Sequence, residues 1–456
     1  MSLNLPELFR QQMRNLLGAE YNAFEQALQT EAPVSIRLNQ LPKISGEDQY
    51  SNPDKVLWSN NAFYLPERPV FTLDPLFHAG TYYVQEAASM YLEQCVNHII
   101  KDLQKPIILD LCAAPGGKST HLANLLPDSS LLISNEIIRS RANILHENIT
   151  KWGKPNCIVT NDDPLNFTPL NNFFDIILVD APCSGEGMFR KDPNAINEWS
   201  EDNVKLCAER QQRILANIWG SLKPNGYLIY STCTYNTLEN EKNIEWLANE
   251  FGAISIPVNT LDEWNISPSY SNTVHAARFF PHKTRGEGLV MAIVQKPDNN
   301  ERNFRLKNEK SVFQKLSKEF HHINNYLLNP DKFSLVQREN TIHALPLGYL
   351  QEIDTIRKWL KILSAGIHIG DIKGKDIIPS VGIALSTEIN KQNFNASEID
   401  IDTALNYLRR NTISITNAKL LGHILLTYKN IPLGWIKNLG NRSNNLYPQE
   451  WRIRHL

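Results

Sequence analysis

Chemistry is written most clearly into two cysteines and an aspartate. Cys183 lies in DAPCSGEGM, a run that begins at Asp180, and Cys233 lies in STCTY, which begins at Ser231. Both stand in polar loops just past short apolar runs, FDIILV and GYLIY, whereas a core cysteine would sit inside such a run. A thiol reacts as its thiolate and needs a polar, partly exposed setting. The reaction that calls for one here is methylation of a pyrimidine at carbon 5, an atom too weakly nucleophilic to take a methyl group unaided. A thiolate adding to carbon 6 makes an enamine-like species that can attack a methylsulfonium. The carbon-5 proton must then leave and the thiol be expelled, which calls for a base. Asp180 could bond the N3 edge of the ring and stabilise charge in the adduct. Spacing alone leaves open which cysteine attacks.

A glycine-rich turn supplies the second constellation. CAAPGGK, from Cys112 through Ala113, Ala114, Pro115, Gly116 and Gly117 to Lys118, joins the apolar run PIILDL to a helix predicted to start at about Ser119. Such a turn lets backbone approach a ligand at a helix N-terminus. The dinucleotide pattern G-x-G-x-x-G is absent. Gly117, Lys118 and Ser119 match the end of a P-loop, but Cys112 occupies the place of its first glycine and Pro115 removes an N–H that a phosphate cradle would use. S-adenosylmethionine has no phosphate and needs room more than anion donors, so it is the expected cofactor. Its ribose wants an acid at the end of the second strand, where Glu136 follows SLLIS, 19 residues after Gly117. Asp163, after NCIVT, is placed for the adenine edge. Lys118 has Cys183, Asp180 or an RNA phosphate as candidate partners. His121 reads as a packed histidine, and His282 as a residue that orders a hairpin at a sheet edge.

The remaining chemistry is narrowed by what is missing. The six cysteines form no C-x-x-C pair, so no metal site is expected, and Cys95, Cys157 and Cys207 read as core residues. No apolar run approaches the ~20 residues that span a bilayer. The start, MSLNLPELFRQQMRNLL, reads as an amphipathic helix and not as a signal peptide, which implies a cytoplasmic protein and no membrane partner. The net charge of −2 hides an asymmetry: residues 298–456 carry 22 Lys and Arg against 15 Asp and Glu. From Arg409 onward there are eight basic residues and only Glu450 is acidic, as expected for a tail that holds a polyanion.

Elements must hold these residues in place. Residues 1–78 read as a small α/β prelude with a helix and a strand in APVSIRLN. Residues 79–297 alternate apolar runs (PIILDL, SLLISNE, NCIVTND, FDIILVDAP, GYLIYST, LVMAIVQ) with amphipathic stretches, the pattern of a doubly wound, mostly parallel sheet. In one helix Val204, Cys207, Ile214, Leu215, Ile218 and Trp219 mark an apolar face, Ser200 is the expected N-cap, and Pro224-Asn225-Gly226 closes the following turn. KPDNNERNFRLKNEK is read as a linker. Residues 298–399 form a linker and a further region, helical to about 395, and residues 400–456 a terminal unit dense in short strands.

The chain resembles a known family at these same residues. LDLCAAPGGKST, LVDAPCSGEGMFRKDP and YSTCTYNTLENE are similar to three signature motifs of the Sun/Nop family of RNA 5-methylcytosine methyltransferases. RFFPHKTRGEGLVMA (residues 278–292) is similar to its later motif, and SIRLN to its early R-x-N element. The resemblance covers residues 30–297. It implies a Rossmann-like core, S-adenosylmethionine as cofactor, Cys233 as nucleophile and Cys183 as an aid to product release. It also implies that Cys112 through Lys118, Glu136, Asp163 and Asp180 line the cofactor pocket, which gives Asp180 two candidate roles. PLGWIKNLGNR and LYPQEWRIR are similar to the PUA-like RNA-binding tail of a bacterial subgroup, the RsmF type, that modifies 16S ribosomal RNA. The expected partner is then ribosomal RNA or the small ribosomal subunit. The alternatives are the same chemistry on tRNA or 23S rRNA, and a non-catalytic RNA-binding assembly factor.

Overall fold

In the computed structural model, residues 3–39, 54–101, 103–298, 304, 313–414 and 421–454 are described. The linker KPDNNERNFRLKNEK falls largely outside them. Two helices, Glu7–Leu17 and Tyr21–Leu28, precede an antiparallel sheet of β1 (Val34–Leu38), β2 (Asp54–Lys55), β3 (Ala62–Leu65) and β4 (Tyr82–Val84), ordered β2-β3-β1-β4.

The central sheet follows from the apolar runs. β5 (Ile107–Asp110), β6 (Leu131–Asn135), β7 (Cys157–Thr160), β8 (Phe174–Asp180) and β9 (Leu222–Thr232) run parallel in the order β9-β8-β5-β6-β7. Their side chains alternate between two layers, with Ile108, Leu132, Val159, Leu178 and Ile229 on one face and Leu109, Ile133, Ile158, Ile177 and Leu228 on the other. Burial on both faces is why these strands are continuously apolar. Antiparallel β12 (Leu289–Gln295) extends the sheet past β9 and carries β10 (Ile254–Ile256) and β11 (Ala277–Phe279). The strand order reverses at β5, so a crevice opens outside the carboxyl ends of β5 and β8.

The helix Glu201–Trp219 buries Val204, Cys207, Ile214, Leu215, Ile218 and Trp219, and the Val, Leu and Ile side chains are each worth about 1.5–3 kcal/mol when fully removed from water. Ser200 caps it, accepting from the Asn203 N–H at 3.1 Å. Pro224-Asn225-Gly226 does not close a turn ahead of the strand. It lies inside β9, where Asn225 has φ +61° and the register with β8 shifts.

Beyond residue 312 the structure departs from the helical expectation. β13 (Gln314–Lys315), β14 (Phe333–Arg338), β15 (Thr341–Pro346), β17 (Ile367–Lys373) and β18 (Asp376–Pro379) form an antiparallel sheet, while β16 (Ile362–Ala365) pairs with β7 at the edge of the central sheet. The buried residues Ile342 and Ala344, and Ile367 and Ile369, recur at every second position, a strand period. The last sheet is β19 (Ala396–Glu398), β20 (Gly422–Tyr428), β21 (Ile431–Asn438) and β22 (Ser443–Asn445). It shares one core with the first: Ile36, Leu38, Phe63 and Leu65 pack with Tyr407, Leu408, Ile424, Leu426 and Leu433. The N-terminal helices pack on residues that follow β8, β9 and β11, where Phe9 and Phe24 meet Phe189, Trp199, Tyr235 and Phe280.

Candidate active site

The cofactor loop leaves β5 at Asp110 and enters the helix Gly117–Leu125. Gly116 adopts φ +117°, a backbone conformation that strains any residue with a side chain, so glycine suits this turn. Asp110 is fully buried. Its Oδ2 accepts from Ser119 Oγ at 2.6 Å, while Oδ1 finds no partner among the described residues. Burial pushes its pKa up to about 7. At the end of β6, Glu136 is buried, accepts from the Ile138 N–H at 2.9 Å and lies 3.4 Å from Arg141, which donates to the Ala114 carbonyl at 2.7 Å. Asn135 beside it bonds the Leu111 and Asp162 carbonyls, at 3.1 and 2.9 Å, and ties three strand ends together. Asp163 is exposed at the end of β7 and caps a short turn through the Leu165 N–H at 2.9 Å.

Charge decides which ligand this loop fits. Burial first, and then the charges of Asp110, Asp180 and Glu136, push the Cys112 thiol up. Asp180 and Glu136 are paired with Lys118 and Arg141, so the loop offers acceptors suited to a cationic sulfonium and an ammonium and no excess of positive charge for a triphosphate. The partnerless Asp110 oxygen is likewise a group that wants a donor. These residues fit S-adenosylmethionine and not a nucleotide.

The thiols meet at the neighbouring strand ends. Asp180 and Ser231 are register partners on β8 and β9, so the loops that follow begin side by side. The Ala181 N–H donates to the Ser231 carbonyl at 2.8 Å, and the Gly187 N–H to the Cys233 carbonyl at 2.8 Å. A Cβ on Gly187 would lie 2.4 Å from the Gly288 carbonyl oxygen and 3.0 Å from that of Cys233, so the close approach of the loops requires glycine there. Cys183 Sγ and Cys233 Sγ are 3.1 Å apart and half-buried. The hydrogen bond to Cys233, followed by burial, pushes the Cys183 thiol well up, so Cys183 keeps its proton. Of the three partners open to it, Lys118 takes Asp180, Nζ to Oδ2 at 2.7 Å; Ser231 Oγ donates to Oδ1 at 2.7 Å. Burial, the largest single effect, works to lower the pKa of Lys118, but the charge and hydrogen bond of Asp180 with the charges of Asp110 and Cys233 together outweigh it, and the ammonium is held above its ordinary value.

The histidines are structural. His121 is buried 3.4 Å from Glu93 and burial lowers its pKa to about 4. His282 lies in the connection between the antiparallel strands β11 and β12, packs edge-on against Phe24 of the second N-terminal helix, and burial lowers its pKa. Arg37 and Asn39 of the R-x-N element are buried struts. Arg37 donates to Thr120 Oγ1 at 2.7 Å and lies over Trp152, and Asn39 bonds the Trp152 carbonyl at 3.0 Å. Reading the sequence missed Asp110, Asn135 and Arg141. An ionisable or amide side chain at the last position of an apolar run was the available signal for the first two.

Fold and site together define a class: a Rossmann-like methyltransferase that uses S-adenosylmethionine. Family models agree along the chain. "16S rRNA methyltransferase RsmB/F" matches residues 98–295, "N-terminal domain of 16S rRNA methyltransferase RsmF" residues 5–87, and "Methyltransferase RsmF PUA domain" residues 394–453. Ribosomal RNA small subunit methyltransferase F of Shewanella oneidensis is 31% identical, with 91% of this chain and 90% of that protein covered. Its counterpart in an Enterobacter species is 29% identical, with 98% and 96% covered. A solved methyltransferase homologue from Pyrococcus horikoshii is 29% identical with TM-score 0.55, over 64% of this chain and 96% of that one. The chain belongs to the RsmB/F family of 16S rRNA methyltransferases, in its RsmF-type form with N-terminal and PUA domains. It is an RNA cytosine-5 methyltransferase, and its methyl donor is S-adenosylmethionine.

Proposed function

We propose that this chain methylates carbon 5 of a cytosine in 16S rRNA through a covalent adduct on Cys233 that Cys183 helps to resolve. The observation that carries the reading is the pair of thiols 3.1 Å apart beside a loop that fits S-adenosylmethionine. A protein that only bound RNA would have no use for two thiols so placed. Cys112 through Lys118, Glu136, Asp163 and Asp180 hold the cofactor, with Asp110 added from the geometry. When bound, the cofactor supplies an electrophilic methyl group on a sulfonium.

The protein residues do the rest. A sulfur lone pair of the Cys233 thiolate forms the S–C6 bond, and the C5=C6 pair becomes available at carbon 5 to take the methyl group. Asp180 accepts a hydrogen bond from the exocyclic amine on the N3 edge of the ring, and the Lys118 ammonium beside it offsets the negative charge that builds on the ring in the adduct. The carbon-5 proton passes to solvent water acting as the base, its electron pair closes the C5=C6 bond, the S–C6 bond breaks, and that pair goes back to Cys233. Cys183, which keeps its proton, stabilises the departing thiolate by hydrogen bonding.

Ribosomal RNA, free or within the small subunit, is the partner in this reading. No helix among the described residues is long and apolar enough to cross a membrane. The cytoplasm, whose reducing conditions keep adjacent thiols free, is the compartment that suits both substrate and site. Bisulfite sequencing of 16S rRNA from a strain lacking the gene should show one cytosine losing protection, and a plasmid copy should restore it. Loss of protection in tRNA or 23S rRNA, with 16S rRNA unchanged, would refute the substrate.

The terminal domain holds RNA by charge. Arg410, Lys429, Arg442, Arg452 and Arg454 are exposed, while the domain interior is packed against the N-terminal sheet. Replacing these cations by alanine tests the charge without opening that core. The log–log salt dependence of RNA binding should flatten by about 0.7–0.9 for each phosphate that a removed cation had neutralised. An unchanged slope in filter-binding titrations would make the basic face a merely solvated one.

A further inference from the structure

Two carboxylates that the reaction does not use lie under the thiols, each fully buried and each reaching from one catalytic loop to the other. Glu186 belongs to the Cys183 loop. Its Oε2 accepts the backbone N–H groups of Tyr235 and Asn236, just past Cys233, at 2.7 and 2.8 Å. Its Oε1 accepts Gln12 Nε2 at 2.8 Å and Trp199 Nε1 at 3.1 Å. Glu239 belongs to the segment after Cys233. Its Oε2 accepts the Ser184 N–H at 3.0 Å and Gln211 Nε2 at 2.7 Å, and its Oε1 accepts Ser184 Oγ and, at 2.8 Å, Asn236 Nδ2. Gln211 also donates to the Pro182 carbonyl at 3.1 Å, on the residue before Cys183.

Four donors converge on each carboxylate, which has about four lone-pair sites to receive them. A neutral carboxamide of the same shape offers one acceptor oxygen and brings two donors of its own. It cannot satisfy the same set, and a donor left unpaired in a buried site is costly. The exchange is reciprocal, since the loop of each cysteine carries the carboxylate that fixes the backbone beside the other.

We infer that Glu186 and Glu239 are positioning residues that set the separation of the two thiols, Glu186 by holding Cys233 and Glu239 by holding Cys183. This rests on the two-cysteine reading above. Neither carboxylate touches substrate. Each acts through backbone, and their failures should fall on different steps. Loss of the Glu239 grip releases Ser184 and lets Cys183 drift, while Cys233 still attacks. Loss of the Glu186 grip lets Cys233 drift, so that the attack itself fails.

The experiment incubates purified full-length variants with target RNA and S-adenosylmethionine, and measures the protein–RNA adduct on denaturing gels alongside turnover. Glu239→Gln should lower turnover by about 10²-fold, the scale on which a small misplacement acts, while adduct accumulates at least about fivefold over wild type. Glu186→Gln should lower turnover comparably with less adduct than wild type. Cofactor affinity should stay within about threefold in both. Ser184→Ala removes only one hydroxyl from the clamp, covers the case in which a glutamine variant does not fold, and should raise adduct by a smaller factor. Equal losses of turnover with adduct at the wild-type fraction in both glutamine variants would overturn the inference, as would wild-type adduct in Ser184→Ala. Cys183→Ala runs in the same assay; if it traps no adduct, the two-cysteine reading falls and the clamp's role falls with it.

Discussion

Cys233→Ala is expected to abolish methylation, by at least about 10⁴-fold, the scale on which covalent catalysts lose activity when the nucleophile is removed. The variant should bind S-adenosylmethionine within a few-fold of wild type. In the proposed reading the cofactor is held by the loop after β5 and the ends of β6, β7 and β8, whereas Cys233 follows β9. Removing the Cys233 sulfur loses its contact with Cys183 but keeps the loop's other ties, through the Cys233 carbonyl and the Tyr235 and Asn236 N–H groups. Radiolabelled methyl transfer to 16S rRNA and calorimetric titration with the cofactor check the two halves. Retained transfer would remove Cys233 from the chemistry, and lost cofactor binding would make its role structural.

Cys183→Ala is expected to fail at the other end of the reaction. Attack on carbon 6 and methyl transfer need only Cys233, so both should proceed. Elimination then slows, because the group that shares a proton with the departing sulfur is gone. The enzyme should accumulate as a covalent protein–RNA species of retarded mobility on a denaturing gel, approaching one adduct per protein chain. The double variant Cys183→Ala/Cys233→Ala should show none. Adduct from Cys233→Ala, with none from Cys183→Ala, would exchange the roles of the two cysteines while leaving the overall reaction in place.

Much of this site was legible from residues alone, for a definite reason. In an open parallel sheet, chemistry gathers at the carboxyl ends of strands, and each strand here is a short apolar run whose end is easy to see. Cys112 through Lys118, Glu136, Asp180, Cys183 and Cys233 all stand at such ends, and chain order alone places them at one rim. Ser200 was equally legible because capping is local. What resisted reading depends on distant partners. Glu186 and Glu239 look like loop carboxylates facing water until the fold turns four donors toward each. Lys118 had three candidate partners, and only the register of β8 against β9 and the position of the loop after β5 select Asp180. The region after residue 312 read as helical because its strands are short and interrupted, and its two-residue period becomes clear only where Ile342, Ala344, Ile367 and Ile369 meet across a shared core. The packing of the first sheet on the last leaves no sequence signal at all, since it joins the two ends of the chain.

The central claim is that the sulfur of Cys233 carries the cytosine. It is tested most directly by digesting the species trapped with Cys183→Ala with nuclease and protease, then locating the nucleotide by mass spectrometry. The account predicts a nucleotide, methylated at carbon 5, on the peptide that contains Cys233. Its discovery on any other residue would contradict the account.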